Sequence, residues 1–172
     1  MALKKTVYKR PSEGMPLIEP IVKGAKSPIL EVRFCNLLKA FQFPNSPGVD
    51  RYSITCAIDP VANLEYQEYI EKLEKKEGVE SALKNELRKE PGGSVFTGRV
   101  LIKFQAIVKV PIYQIVDGET TELTLQDEFQ QGEKVQVEYD IMRYTKRDST
   151  TCLHGMSFKL IKVFHYKEKE TA

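Results

Sequence analysis

Hydrophobic and polar positions alternate most cleanly over Arg51 to Ile58, where Tyr52, Ile54, Cys56 and Ile58 share one face and Arg51, Ser53, Thr55 and Ala57 the other. A period of two marks a half-buried strand. Arg99 to Val110 repeats the pattern, with Val100, Ile102, Phe104, Ala106 and Val108 inward and Arg99, Lys103, Gln105 and Lys109 outward. Upstream, Ile29, Leu30, Val32 and Phe34 predict a strand that runs into an irregular segment, Leu37, Leu38, Phe41 and Phe43, and stops at Pro44-Asn45-Ser46-Pro47-Gly48. Downstream, Ile112 to Val116 predicts a short strand ending at the turn Asp117-Gly118, followed by a loop. Lys134 to Lys146 and Met156 to Tyr166, rich in Val, Ile, Tyr and Phe, predict two long strands joined by the polar segment Arg147 to Thr151.

Between the two alternating strands the period changes. Asp59-Pro60 reads as a helix entry, and Leu64, Ile70 and Leu73 follow among glutamates and lysines, with Glu68 to Lys72 and Glu71 to Lys75 at helical spacing. The helix is expected to run to Glu77, to be interrupted at Gly78, and to resume through Leu83 and Leu87 until Glu90-Pro91-Gly92-Gly93 ends it. The predicted order is therefore strand, strand, helix, strand, short strand, strand, strand. Five principal strands with one inserted helical segment suit a mainly β fold, a five-stranded OB-type barrel, and no internal repeat suggests a solenoid or propeller. Residues 1–28 hold Pro11, Pro16, Pro20, Pro28, Gly14 and Gly24 with little periodicity, and read as an extended arm. Residues 29–166 form the folded domain and 167–172 a short charged tail.

A chain of 172 residues with 41% hydrophobic and 29% charged residues has the composition of one folded domain. No apolar run reaches the roughly 20 residues that cross a bilayer, and no signal-peptide pattern follows the charged start, so an intracellular protein is expected. Cys35, Cys56 and Cys152 are odd in number and widely spaced, which argues for reduced thiols. The net charge of +2 is unevenly spread: residues 1–60 hold nine Lys/Arg against five Asp/Glu, residues 61–98 six against eight, and the remainder eleven of each. Acidic charge collects in the helical segment and in the Asp117 to Asp127 loop, leaving several strands locally basic.

Strong catalytic signatures are absent: there is no Walker A loop, dinucleotide fingerprint, nucleophile elbow or His-Glu-x-x-His. Cys152 and His154 supply half a zinc site with no Cys-x-x-Cys partner, so no metal and no cofactor is expected. Asp117, Glu119, Glu122, Asp127 and Glu128 are the carboxylates a metal-dependent nuclease would need, but they share one polar stretch of turn composition. What remains is the interleaving of cations and flat side chains on outward positions, the combination that holds unpaired nucleic acid through phosphates and stacked bases. Arg51, Arg99, Lys103, Lys109, Arg143, Lys146, Arg147 and Lys159 are the candidate phosphate contacts; Phe41, Phe43, Tyr113, Tyr144 and His154 are the candidate stackers. Any one lysine is by itself an ordinary surface charge, Phe41 and Phe43 suit the core equally well, and Phe104 and Tyr139 fall on apolar faces.

The order of segments resembles that of the single-stranded DNA-binding proteins of short-tailed lytic phages and of the related Enc-type family. The resemblance runs from Ile29 to Phe164 and rests on VDRYSITCAID followed directly by the helix, on RVLIKFQAIVK, and on GEKVQVEYDIMRYTK paired with GMSFKLIKV. It implies an OB barrel that coats single-stranded DNA without sequence preference in replication, recombination and repair, inside the host cell, and it points to Arg143, Tyr144 and Lys146 as ligand contacts. Such proteins commonly end in an acidic tail that recruits polymerase or helicase and supports a homodimer; this sequence ends Tyr166-Lys-Glu-Lys-Glu-Thr-Ala172 without an acidic block. Strand binding does not depend on that tail. The competing readings are a structural or protein-interaction module, favoured by the weak net charge, and the nuclease.

Overall fold

The computed structural model describes residues 16–42, 50–147 and 152–167. Among them, nine strands and one helix follow in the order β1 (Pro16–Lys26), β2 (Leu30–Gln42), β3 (Asp50–Ile58), α1 (Leu64–Glu77), β4 (Lys84–Glu90), β5 (Gly93–Ala106), β6 (Ile112–Val116), β7 (Glu119–Glu122), β8 (Lys134–Arg147) and β9 (Cys152–Tyr166). The pairing path is β1–β8–β2–β3–β5–β9–β6–β7, and β8 also pairs β9. That last pairing closes β8, β2, β3, β5 and β9 into a ring of five strands. β9 is parallel to both β5 and β6, and the other pairings are antiparallel.

The inward positions of the ring are the apolar positions of the alternating segments. Leu30, Val32, Ile54, Cys56, Ile58, Ile102, Phe104, Val135, Val137, Tyr139, Ile141 and Phe158 are all buried. The rings of Phe104, Tyr139 and Phe158 lie 4.8–5.9 Å apart and form an aromatic centre, each such contact adding about 0.5–1.5 kcal/mol beyond the area it buries. Helix α1 packs against this core through the fully buried Ile70. The Tyr66 and Tyr139 hydroxyls meet at 2.6 Å, satisfying two polar groups in an apolar setting.

Asp59 accepts from the amides of Val61 and Ala62 at 2.8 and 3.3 Å, closing the turn that leads into the helix, which itself starts at Leu64 without a side-chain cap from Asn63. It ends at Gly78, whose φ of 66° is the left-handed conformation that glycine adopts without strain. Val79 N–H donates to the Glu74 carbonyl to finish the cap. Glu74 itself is buried, which raises its pKa, and its carboxylate accepts from the Ala82 amide.

Several elements differ from the sequence expectation. The chain beyond Gly78 forms no second helical piece: Lys84–Glu90 is strand β4, and Pro91-Gly92 turns it into β5 as a hairpin. Its helix-favouring composition is overridden by backbone pairing with β5. β5 ends at Ala106, so Val108, placed inward by alternation, is 63% exposed. Part of the Asp117 to Asp127 loop is strand β7, joined to β6 through Asp117 at φ 51° and Gly118 at φ 80°, the two left-handed residues of a tight hairpin. Residues 16–26 of the proline-rich stretch pair with β8, and register shifts at Pro20/Val22 and Val22/Ala25 explain why no alternation marks them. β2 is one strand to Gln42, with its pairing interrupted between Asn36 and Phe41.

Candidate nucleic-acid interface

Residues of the ring that point away from the core make its outer face. By alternation these are Arg51, Ser53 and Thr55 on β3 and Lys103 and Gln105 on β5; Thr55, Lys103 and Gln105 each lie between buried neighbours, and Ser53 is covered to 6% exposure. The register places Thr55 beside Lys103 and Ser53 beside Gln105. On β2, Phe34 stands opposite Thr55, Asn36 opposite Ser53, and Phe41 opposite Arg51. On β9, Lys159 stands opposite Gln105. Asn36, Ser53, Gln105 and Lys159 thus form a polar row across four strands, about 14 Å long at the usual strand spacing. The neighbouring row carries Phe34 and Lys103.

Phe34 is 63% exposed, as is Ile107 just past Gln105. A phenyl ring left in water on a sheet face, with Lys103 beyond Thr55 in the same row, offers a stacking platform rather than core packing. Sequence alternation put Phe34 on the face of Val32. A bulge at Arg33 shifts it outward, because Val32 is opposite Cys56 while Phe34 is opposite the adjacent Thr55. The signal was present in the parity of Cys35 and Leu37, which fall out of step with Leu30 and Val32.

Glu128 was also missed as a positioning group. Its carboxylate accepts from the amides of Leu37, Leu38 and Lys39 at 2.7, 2.8 and 2.9 Å. Those are amides of the stretch where β2 lacks a strand partner, so the side chain supplies the acceptors that a neighbouring strand would have. This holds the approach to Phe41.

The candidate residues fall into separate groups. Arg51, Lys103 and Lys159 share the outer face, with the backbone of Phe41 beside Arg51. Arg99 belongs to β5 but is held by carboxylates, at 3.0 Å from Glu31 and 3.8 Å from Glu86; Arg33 reaches the same two, at 3.4 and 2.6 Å. Lys109 is exposed in the link between β5 and β6. Tyr113 lies on β6, stacked on Phe164 at 5.4 Å, with Lys162 Nζ 5.9 Å from its ring centroid. Phe43 lies outside the described residues, and for Phe41, Lys146 and Arg147 only the backbone is described.

The segment Tyr139 to Lys146 is divided between two faces. Arg143 is opposite the buried Met156, and its Nη2 lies 3.3 Å from His154 Nδ1, which the Thr145 hydroxyl also approaches at 3.1 Å. Glu80 N–H donates to the His154 carbonyl, so this side of β8 and β9 meets the chain following α1. Tyr144 points the other way and covers Gly155: its ring occupies the place a Cβ would take there.

Nothing in the acidic stretch gathers a cation site. Glu128 is committed to amides of β2, Glu119 and Glu122 are exposed on β7, and among the described residues no group of three or more His, Cys, Asp or Glu is placed to hold a metal. An open hollow lined by Asp127, Glu128 and Glu133 repels phosphate, and His165 within it is bonded to Glu133 at 3.0 Å and stacked on Phe129. Burial, aided by the Glu128 carboxylate, pushes the Cys35 thiol up to about 12, and burial pushes Cys56 up as well, so neither is a thiolate at neutral pH. No helix among the described residues is long and apolar enough to cross a membrane.

No protein-family model and no curated protein sequence matches the chain. Its fold is similar to that of a C-terminally truncated single-stranded DNA-binding protein from bacteriophage Enc34, with TM-score 0.59 and 15% identity over 90% of this chain and 99% of that one. It is similar also to gp2.5, a single-stranded DNA-binding protein encoded by bacteriophage T7, with TM-score 0.57 and 12% identity over 88% and 90%. The Enc34 protein in complex with single-stranded DNA matches with TM-score 0.56 and 16% identity over 87% and 97%. At these identities the likeness establishes a shared fold.

Proposed function

We propose that this chain binds single-stranded DNA without sequence preference and without altering it, through the outer face formed by β2, β3, β5 and β9. The observation that carries the reading is the juxtaposition on one curved face of Arg51, Lys103 and Lys159 with the exposed ring of Phe34. Cations spread over three neighbouring strands neutralise phosphates, and a solvent-facing ring accepts a base of any identity. The ring of five strands is read as an OB-type barrel, with β3 and β5 as the strands whose face takes the oligonucleotide. The shared fold with two phage proteins that bind single-stranded DNA supports the same assignment. A role in phage replication, recombination and repair inside the host cell, contacts with polymerase or helicase, and a homodimer are proposed on the resemblance in segment order alone, and no feature of the face bears on them.

Labelled oligothymidine titrated with micromolar protein at several salt concentrations tests the proposal, with duplex DNA and RNA alongside. Tight association that weakens steeply with salt is expected. Absence of salt-sensitive association would sink it, and degradation of the oligonucleotide with magnesium or manganese present would replace it with the nuclease reading.

A further inference from the structure

The hairpin of β4 and β5 buries almost nothing. From Leu87 to Gly98 every residue is exposed, Leu87 at 60%, Val95 at 47% and Phe96 at 49%. Leu87 stands opposite Phe96 and Arg88 opposite Val95. Apolar side chains held in water on a projecting arm mark a surface that something covers.

Charge indicates what covers it. Residues 84–99 contain Lys84, Arg88, Lys89 and Arg99 against Glu86 and Glu90, an excess of two that equals the net charge of the whole chain. Both carboxylates are occupied from within: Glu86 by Arg33 at 2.6 Å and by the Thr97 hydroxyl at 2.9 Å, Glu90 by Arg88 at 2.8 Å. Lys89 has no carboxylate partner among the described residues. The register puts Lys89 opposite Ser94, two positions along from the Leu87 and Phe96 pair and on the same side. Its backbone is therefore a diagonal neighbour of Phe96, about 7 Å away. A ring beside an unneutralised lysine suits a polyanion with flat bases better than it suits a second protein surface, for which an uncharged patch would serve.

The arm grows from the strand that carries Lys103 and Gln105. A bulge between Phe96 and Val100, with Gly98 at φ 92°, re-aims it relative to the ring. Phe96 and Lys103 are seven residues apart on one strand, at most about 24 Å. The register keeps Leu87, Phe96 and Lys89 on the side of Val100, opposite Lys103, and Arg88 and Val95 on the side of Lys103, so a strand continuing past Lys103 meets the arm along Arg88 and Val95 and reaches Phe96 and Lys89 round its edge.

We propose that the β4–β5 hairpin is a second contact for the same single strand, Phe96 stacking a base and Lys89 neutralising an adjoining phosphate, so that the binding site extends beyond the ring. This rests on the function proposed above. The test is binding of oligothymidines of increasing length to the wild-type chain, Phe96→Ala and Lys89→Glu, with the folded state of each checked by circular dichroism and urea midpoint. All three are expected to bind the shortest oligonucleotides equally. With longer ones the wild type gains affinity and each variant falls behind by on the order of tenfold. Equal affinity of all three at every length overturns the proposal. So does a wild-type oligomer, seen by sedimentation without DNA, that either substitution dissociates, because the arm is then a protein contact. Failure of the wild type to bind any oligonucleotide refutes the parent reading instead.

Discussion

Replacing Arg51, Lys103 and Lys159 together by glutamine removes three positive charges from one face while leaving the core untouched. Each charge that neutralises a phosphate of a single strand contributes about 0.7 to the slope of log affinity against log salt, so the triple variant loses about 2 units of slope. Between about 50 and 200 mM salt that difference amounts to roughly twentyfold in affinity, the share of the wild-type salt sensitivity that these residues supply. Lys103 and Lys159 are exposed and Arg51 is half-buried, without a role in the buried ring; the urea midpoint should therefore hardly move, surface changes of this kind costing within about 0.5 kcal/mol each. Arg99→Gln is the matched control. It also removes a cation from β5, one held by Glu31 and Glu86. It should leave the slope as it is and lower stability. Fluorescence anisotropy of a labelled oligothymidine at four or more salt concentrations measures both. A triple variant with the wild-type slope refutes the assignment of the face, and an Arg99→Gln variant that loses slope instead moves the contact to the ion-pair network.

Glu128→Ala strips the acceptor from the amides of Leu37, Leu38 and Lys39, at a cost of roughly 2–4 kcal/mol in urea unfolding, with Glu128→Gln in between because one carbonyl oxygen remains; equal midpoints for both variants and the wild type would contradict the role. Tyr66→Phe leaves the Tyr139 hydroxyl without its partner and should cost about 1–2 kcal/mol. Burial raises both tyrosines, Tyr139 to about 12. The unfolded chain ionises first, so their contribution to stability is complete below about pH 10 and declines as pH rises beyond it. A Tyr66→Phe, Tyr139→Phe double variant should show a shallower alkaline decline, and an unchanged one would refute the coupling. Gly155→Ala forces the Tyr144 ring from its seat and should destabilise by about 1–2 kcal/mol; in a Tyr144→Ala background that cost should vanish, and strictly additive losses would show that the ring does not cover Gly155.

Alternation made most of the ring legible because a strand with one buried face has no other way to arrange its apolar residues. Arg51–Ile58, Arg99–Ala106 and the two long C-terminal strands form where their pattern places them, though Ser53 and Ala57 of the polar face are covered, and the helix from Leu64 follows its period and stops at its glycine. The same rule fails wherever a partner outweighs local preference. Lys84–Glu90 carries a helical composition, yet its backbone groups are satisfied by Gly93–Leu101, and pairing prevails because nothing in that stretch can bury a helical face.

The candidate face was harder to read than the ring, for two physical reasons. A period of two assigns a side chain to a face only while the register is unbroken, and one inserted residue inverts everything beyond it. The bulge at Arg33 does this: it turns Phe34 out and brings Cys35 and Leu37 in, so the ring best placed to stack a base lies on the face opposite the one that alternation gives it. Cations, for their part, look alike in a sequence whatever they face. Arg99 and Lys159 are both cations on strands of the ring, but Glu31 and Glu86 arrive from β2 and β4 to hold the first, while the second is exposed opposite Gln105. Which positive charges are left for a phosphate is decided by carboxylates distant in sequence, and only the pairing of the strands brings them together.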